Sequence, residues 1–286
     1  MATLDNVVAV VTGASRGLGL GIARALGSEG ATVYLTGRAG GSTASANALQ
    51  EAAEAVTAAG GRGIAIFCDH SDDADVEKAF AKIADESGRV DILVNNAAAV
   101  YQDDLIMPGP FWEKPLRLAD MITVGERSNY VASYYAAPLM LENQCGLIVS
   151  ISFYGAVSYF HGAAYGAAKA GTDKMARDMA VDLKPHNISC VSIWPGFILT
   201  EELKAIPVEV LPPDLAENLP NFETPEFTGL VIARLYSDPK RMEQSGKILI
   251  GAEMGIHYGV KDTDGKQPPS YREVMGSPNS VFEQSL

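Results

Sequence analysis

The sequence predicts an α/β fold: a doubly wound parallel sheet of seven strands with helices on both faces. Two observations predict it. Six short runs rich in Val, Ile and Leu (7–12, 32–35, 63–68, 90–95, 146–151 and 188–194) are strand-length, and most lack polar alternation, as strands buried on both faces do. Between them lie helix-length segments at 19–29, 45–59, 74–87, 118–141 and 163–183. Strand alternating with helix implies parallel strands joined by right-handed crossovers.

In order along the chain, the first run ends at Thr12-Gly13, and segment 19–29 follows a glycine-rich turn. The run 32–35 leads to 45–59, almost wholly good helix formers, which Gly60-Gly61 stops. The run 63–68 leads to 74–87, and 90–95 leads to the long segment 118–141. Runs 146–151 and 188–194 flank 163–183, and 247–251 supplies the seventh strand. No internal repeat or low-complexity linker divides the chain, so a single domain is expected over 1–286. Two stretches break the rhythm. Residues 201–224, rich in Pro, Glu and Leu, lie beyond the carboxyl end of the sixth strand, where open α/β sheets place ligands, and are expected to form a substrate lid. Residues 260–286 form a C-terminal extension rich in Pro, Ser and Gly.

A formal net charge of −13 disfavours nucleic acid and anionic membrane surfaces as partners. Cys68, Cys145 and Cys190 have no CxxC spacing, which argues against a disulfide framework or structural zinc and fits a reducing, cytoplasmic setting. No stretch approaches the roughly 18–20 apolar residues of a membrane span, and no basic leader precedes the first strand. HExxH is lacking, and no metal site is expected.

Directly after the first strand comes Thr12-Gly13-Ala14-Ser15-Arg16-Gly17-Leu18-Gly19. Glycines here let the backbone approach a pyrophosphate, and the following helix offers it unpaired N–H groups. The position, between first strand and first helix, points to the dinucleotide turn of a Rossmann fold, the alternative being an ordinary strand-to-helix turn. The second strand ends Leu35-Thr36-Gly37-Arg38, with Arg38 beside the position where an NAD site places an acid for the ribose 2′-hydroxyl. Arg38, with Arg16 from the turn, suits a 2′-phosphate, so the expected cofactor is NADP(H). The alternative is that both arginines are solvated surface charges.

With TGxxxGxG in place, the chain resembles the short-chain dehydrogenase/reductases from about residue 6 to 251. Asp69 follows the third strand, where that family contacts adenine. Asn95-Asn96-Ala97-Ala98 is similar to the family's NNAG, with Ala98 in place of glycine. Tyr165-Gly166-Ala167-Ala168-Lys169 matches YxxxK, and Ser152 stands thirteen residues before the tyrosine. Pro195-Gly196 follows strand six, and Thr200 looks like the residue that holds the nicotinamide carboxamide. Gly125, the Ser192–Gly196 stretch and residues 260–266 are similar to the branch called dehydrogenase/reductase member 1. The resemblance implies cofactor contacts from Gly13, Ser15, Arg16, Gly17, Leu18, Gly19, Arg38, Asp69, Asn96, Tyr165, Lys169, Pro195, Gly196 and Thr200, and catalysis by Ser152, Tyr165 and Lys169.

These side chains suit the chemistry. Carbonyl reduction needs a proton at oxygen, and Tyr165 is the natural acid. Lys169, one helical turn on, is expected to favour the phenolate and lower the tyrosine pKa from about 10. Ser152 can donate to the carbonyl oxygen. The family's active-site asparagine falls at Gly125, with Asn129 a turn later. In the family that residue's backbone carbonyl holds a water of the proton relay, and restoring the asparagine is expected to be tolerated.

Phe153, Tyr154 and Phe197, with Tyr159, Phe160 and Trp194, are expected to line an apolar pocket for a small carbonyl or alcohol substrate. Aromatics also fill cores and interfaces, which is the alternative. Three functions compete: an NADP(H)-dependent carbonyl reductase, a non-catalytic dinucleotide-binding protein, and a mainly structural oligomerisation module, against which the cofactor motif argues. The family resemblance implies a homodimer or homotetramer through the long helices, with Tyr130, Tyr134, Tyr135 and Leu139 in contact.

Overall fold

Successive residues of each strand bury on opposite faces of one sheet, and helices cover both. The computed structural model describes residues 3–39 and 47–278. Its strands are β1 (Val8–Val11), β2 (Thr32–Gly37), β3 (Arg62–Phe67), β4 (Ile92–Asn95), β5 (Gly146–Ile151), β6 (Ile188–Trp194) and β7 (Ile248–Ile250). They lie in the order β3-β2-β1-β4-β5-β6-β7, every pair parallel. The long helices are α1 (Gly17–Ser28), α2 (Ala48–Ala58), α3 (Asp73–Ser87), α4 (Ser128–Leu141), α5 (Ala163–Leu183), α6 (Pro225–Ser237) and α7 (Gly251–Tyr258). On one face Ala9, Val11, Val33 and Ile193 pack with Ile22 and Leu26 of α1 and Val231 of α6. On the other, Val8, Val10, Leu93 and Ile148 meet Phe80 of α3, Ala136 of α4 and Ala176 of α5. The period of two in the strands thus builds two cores from one sheet.

Because β1 pairs with both β2 and β4, the chain reverses its direction of travel across the sheet there, and a crevice opens at the carboxyl ends of β1 and β4. The expected helix 45–59 appears as α2, its first two positions lying outside the described residues. Segment 201–224 contains two short helices, Glu201–Lys204 and Pro213–Asn218, and rejoins the sheet end through a bridge between Ile198 and Glu223.

The segment 118–141 corrects the expectation of one long helix. A short helix, Asp120–Ile122, gives way at Val124 and Gly125 to non-helical backbone before α4 begins. Gly125 has φ +141° and ψ −24°, a conformation that side-chain-bearing residues avoid. An added Cβ would touch only Ala98, at 3.6 Å, so space is adequate and backbone strain alone decides. Restoring the asparagine is therefore costly. Gly125→Asn is expected to lower stability by about 1–3 kcal/mol, measured by urea unfolding; unchanged stability would refute the strain argument.

Candidate active site

The glycine turn crosses the crevice between β1 and α1. Gly13 and Gly17 have φ of +65° and +56°. An added Cβ on Gly13 would come within 2.8 Å of the Ala97 backbone, whereas on Gly17 it would meet only Thr200 Cγ2, at 3.8 Å. Glycine thus closes the turn against the end of β4 and keeps side chains off backbone N–H groups of the kind that meet phosphate oxygens, so the residues present fit a dinucleotide. The end of β4 braces the turn. Asn96 donates its amide to the carbonyls of Thr12 (2.8 Å) and Gly13 (3.1 Å), and the Thr12 hydroxyl accepts the N–H groups of Asn96 and Ala97 at 2.9 and 3.0 Å. At the β2–β3 side, Arg38 is exposed and near Asp69. Burial works against the Asp69 carboxylate, but hydrogen bonds from Ser71 and the charge of Arg38 hold its pKa low. Arg16 is ion-paired with Glu202.

Ser152, Tyr165 and Lys169 come together where β5 ends against α5. Lys169 Nζ lies 5.6 Å from the centre of the Tyr165 ring and donates to the Ile151 carbonyl at 3.1 Å. Ser152 Oγ donates to the Lys169 carbonyl at 3.1 Å and is within hydrogen-bonding reach of the Asp173 carboxylate. A donation from Ser152 to a substrate oxygen therefore requires the hydroxyl hydrogen to swing away from that carbonyl. Burial pushes the Tyr165 phenol up rather than down, and burial brings Lys169 down to about 8, partly opposed by Asp173. The expected lowering of the phenol by Lys169 is thereby corrected, since the ammonium sits on a backbone carbonyl and desolvation prevails.

Asp173 is the residue the sequence reading passed over. It is buried, and it accepts Ser192 Oγ at 2.6 Å and Trp194 Nε1 at 3.1 Å. Its spacing, four residues beyond Lys169 and eight beyond Tyr165, was the available signal, because such positions share a helix face. The Gly125 carbonyl, where the family resemblance places a relay water, already accepts Asn129 Nδ2 (2.8 Å) and Thr172 Oγ1 (3.1 Å).

This geometry agrees with the comparisons. A model of the short chain dehydrogenase family matches residues 7–209. The chain belongs to the short-chain dehydrogenase/reductase family. It is 39% identical over 279 residues to human dehydrogenase/reductase SDR family member 1, covering 94% of this chain and 87% of that one. A mutant short-chain dehydrogenase/reductase of Serratia marcescens matches with a TM-score of 0.72 at 32% identity, over 87% of this chain and 97% of that one. A 7α-hydroxysteroid dehydrogenase solved with NADH and 7-oxo glycochenodeoxycholic acid matches with a TM-score of 0.72 at 26% identity, over 92% and 96% of the two chains. The protein is thus an oxidoreductase of a family that uses nicotinamide dinucleotides.

In this short-chain dehydrogenase/reductase a cavity of about 390 Å³ opens beside Tyr165. Its walls are mostly apolar, from Leu105, Trp112, Leu118, Tyr159 and Ala164, with Lys114 and His161 as the basic groups. The expected lining is corrected in part. Tyr154 is fully buried against Trp194, ring centres 5.0 Å apart, and its hydroxyl accepts the Tyr271 N–H at 3.1 Å. Phe153 packs against Tyr154, Phe160, Tyr165 and Phe197, and Phe197 stacks on Phe222 at 5.3 Å and meets Tyr271 at 4.9 Å. These aromatics form a core behind the tyrosine rather than the cavity wall. Residues of the C-terminal extension complete that core: Tyr271 and Met275 join it, and Asp262 accepts the Thr224 N–H at 2.7 Å. Among the described residues no cluster of His, Cys, Asp and Glu could hold a metal.

Proposed function

We propose that this chain is an NADP(H)-dependent oxidoreductase that moves a hydride between nicotinamide and a carbonyl or alcohol carbon, working as a carbonyl reductase on an apolar substrate. The carrying observation is Tyr165, which lines an apolar cavity on one side and has Lys169 one turn behind it. A nicotinamide dinucleotide supplies the hydride when bound. The protein's own part is to hold the substrate oxygen by Ser152 and Tyr165 and to deliver the tyrosine proton to it. The exposed Arg38 near Asp69 supports a 2′-phosphate contact. NADPH is expected to bind more tightly than NADH by about 1–3 kcal/mol, and Arg38→Asp to reverse the order, as read by cofactor fluorescence titration. Equal affinities in the parent protein would refute NADP(H) selectivity.

A second reading, a dinucleotide-binding protein without turnover, is favoured by one observation: both donors on the Gly125 carbonyl come from side chains, which removes an acceptor for a relay water. Hydride loss from NADPH across a panel of apolar aldehydes and ketones separates the two; no loss with any of them would favour the second.

A homodimer or homotetramer through α4 and α5 accords with Tyr130 and Tyr134, which are 54% and 64% exposed on α4. Tyr135 and Leu139 turn inward instead, Tyr135 stacking on Phe80 at 6.4 Å and Leu139 packing on the core. A monomer mass in sedimentation at micromolar concentration would refute this. A reducing, cytoplasmic setting accords with three free thiols, and no described helix is long and apolar enough to cross a membrane.

A further inference from the structure

Both features of the glycine turn that suit anions are engaged by carboxylates of this same chain. Gly17 N–H donates to Glu201 at 2.7 Å, and Arg16 is paired with Glu202. The two acids are adjacent and form the first turn of the short helix Glu201–Lys204, which Thr200 caps by accepting the Leu203 N–H at 3.3 Å. Helix α1 has no local substitute: Arg16 at its N-cap gives no side-chain cap, and its first turn contains no acid. Its leading N–H groups have no acceptor within the helix, and its N-terminus carries partial positive charge. Glu201, brought from 184 residues away, therefore does for this helix what a capping acid normally does.

A carboxylate and a pyrophosphate ask the same thing of this turn, an anionic oxygen within reach of a backbone N–H. A carboxylate on Arg16 likewise takes the fork that a 2′-phosphate would take. The same donors cannot serve both at full strength. We propose that Glu201 and Glu202 form a carboxylate latch over the cofactor turn, Glu201 in the place of the pyrophosphate and Glu202 in the place of the 2′-phosphate, displaced as the dinucleotide binds. This rests on the reading of the turn as a dinucleotide site with Arg16 at the 2′-phosphate. Glu201 and Glu202 thereby set cofactor affinity, because the apparent dissociation constant is the intrinsic one divided by the fraction of molecules with the latch open. The side chains of Arg16 and Glu202 are 44% and 62% exposed, so the pair is weak enough to yield to a multiply charged ligand.

The test is fluorescence titration of the full chain with NADPH and with NADH. Glu201→Gln removes the charge but leaves an amide oxygen, and Glu201→Ala leaves no acceptor. Both are expected to tighten NADPH and NADH alike, by about tenfold. Glu202→Gln is expected to tighten NADPH by about three- to tenfold and to leave NADH within about twofold, because only the 2′-phosphate calls on Arg16. Glu209→Gln, the same charge change at an exposed position farther along the segment, controls for general repulsion and should move neither cofactor by more than about twofold. Unchanged or weaker binding in both Glu201 variants overturns the latch, as does equal tightening by Glu209→Gln. Equal tightening of both cofactors by Glu202→Gln overturns the 2′-phosphate half. If neither the parent nor any variant binds either dinucleotide, the dinucleotide reading itself is what fails.

Discussion

Tyr165→Phe is expected to slow carbonyl reduction by at least about 10³-fold while NADPH affinity stays within about twofold. The ring keeps its place in the variant, since it is held by Phe153 and Phe160 at centroid distances of 6.5 and 5.8 Å, contacts that do not involve the hydroxyl. What is lost is the O–H of a side chain that lines the cavity. Burial raises the phenol's pKa, so at neutral pH the oxygen carries its proton and stands ready as an acid. The groups proposed to hold the dinucleotide, the glycine turn, the arginines and Lys169, are left intact by the variant. Single-turnover hydride transfer from NADPH measures the effect. Full transfer in Tyr165→Phe would assign the proton to another hydroxyl, and Tyr159, on the cavity wall, would be the candidate. Tyr154 would not be, because its oxygen is buried and bonded to the Tyr271 N–H.

The strands and the long helices were legible because a sheet buried on both faces leaves unbroken apolar runs, and such runs need no knowledge of neighbours. The glycine turn was legible for a related reason: positive φ beside a close backbone contact restricts the residue type at the position itself. Gly125 shows the limit of that reasoning. Its type was visible, but the period of 118–141 reads equally well through a kink, and only the structure places φ at +141° there. The aromatic residues were assigned to a pocket on composition alone. Which of them face a cavity depends on Tyr271 and Met275, more than a hundred positions away, which fill the space beside Phe153 and Tyr154. Glu201 and Glu202 were invisible as turn ligands for the same reason, since no local pattern connects them to Gly17 and Arg16. Asp173 was the one residue within reach, because a helix face is a local property.

The alkaline limb of reduction is expected to follow Lys169. As the proton leaves Tyr165, negative charge builds on its oxygen, and a nearby ammonium favours that charge. Burial lowers Lys169 to about 8, against the opposing pull of Asp173, so the ammonium is present below that pH and lost above it. The logarithm of kcat/KM for the carbonyl should then be flat from neutrality to about pH 8 and fall by about one per pH unit beyond. Lys169→Met should cut turnover by about 10²-fold or more, weaken NADPH and flatten the limb, since no group is left to lose its proton there. A rival titrates in the same range. Burial raises Glu223 to about 8, and its carboxyl accepts the Gly196 N–H at 3.0 Å and the Thr228 hydroxyl at 3.0 Å, close under the turn that follows β6. Glu223→Gln keeps one acceptor, for the Gly196 N–H, turns the other oxygen into an amide donor that the Thr228 hydroxyl can accept, and removes the titration, so a limb that survives it belongs elsewhere. Asp173→Asn supplies the sign: with the negative charge gone, the Lys169 ammonium loses its support and the limb should move to lower pH, by about one unit. A limb that persists in Lys169→Met, disappears in Glu223→Gln and stays in place in Asp173→Asn would transfer the control of protonation from the helix behind Tyr165 to the carboxyl beneath Gly196.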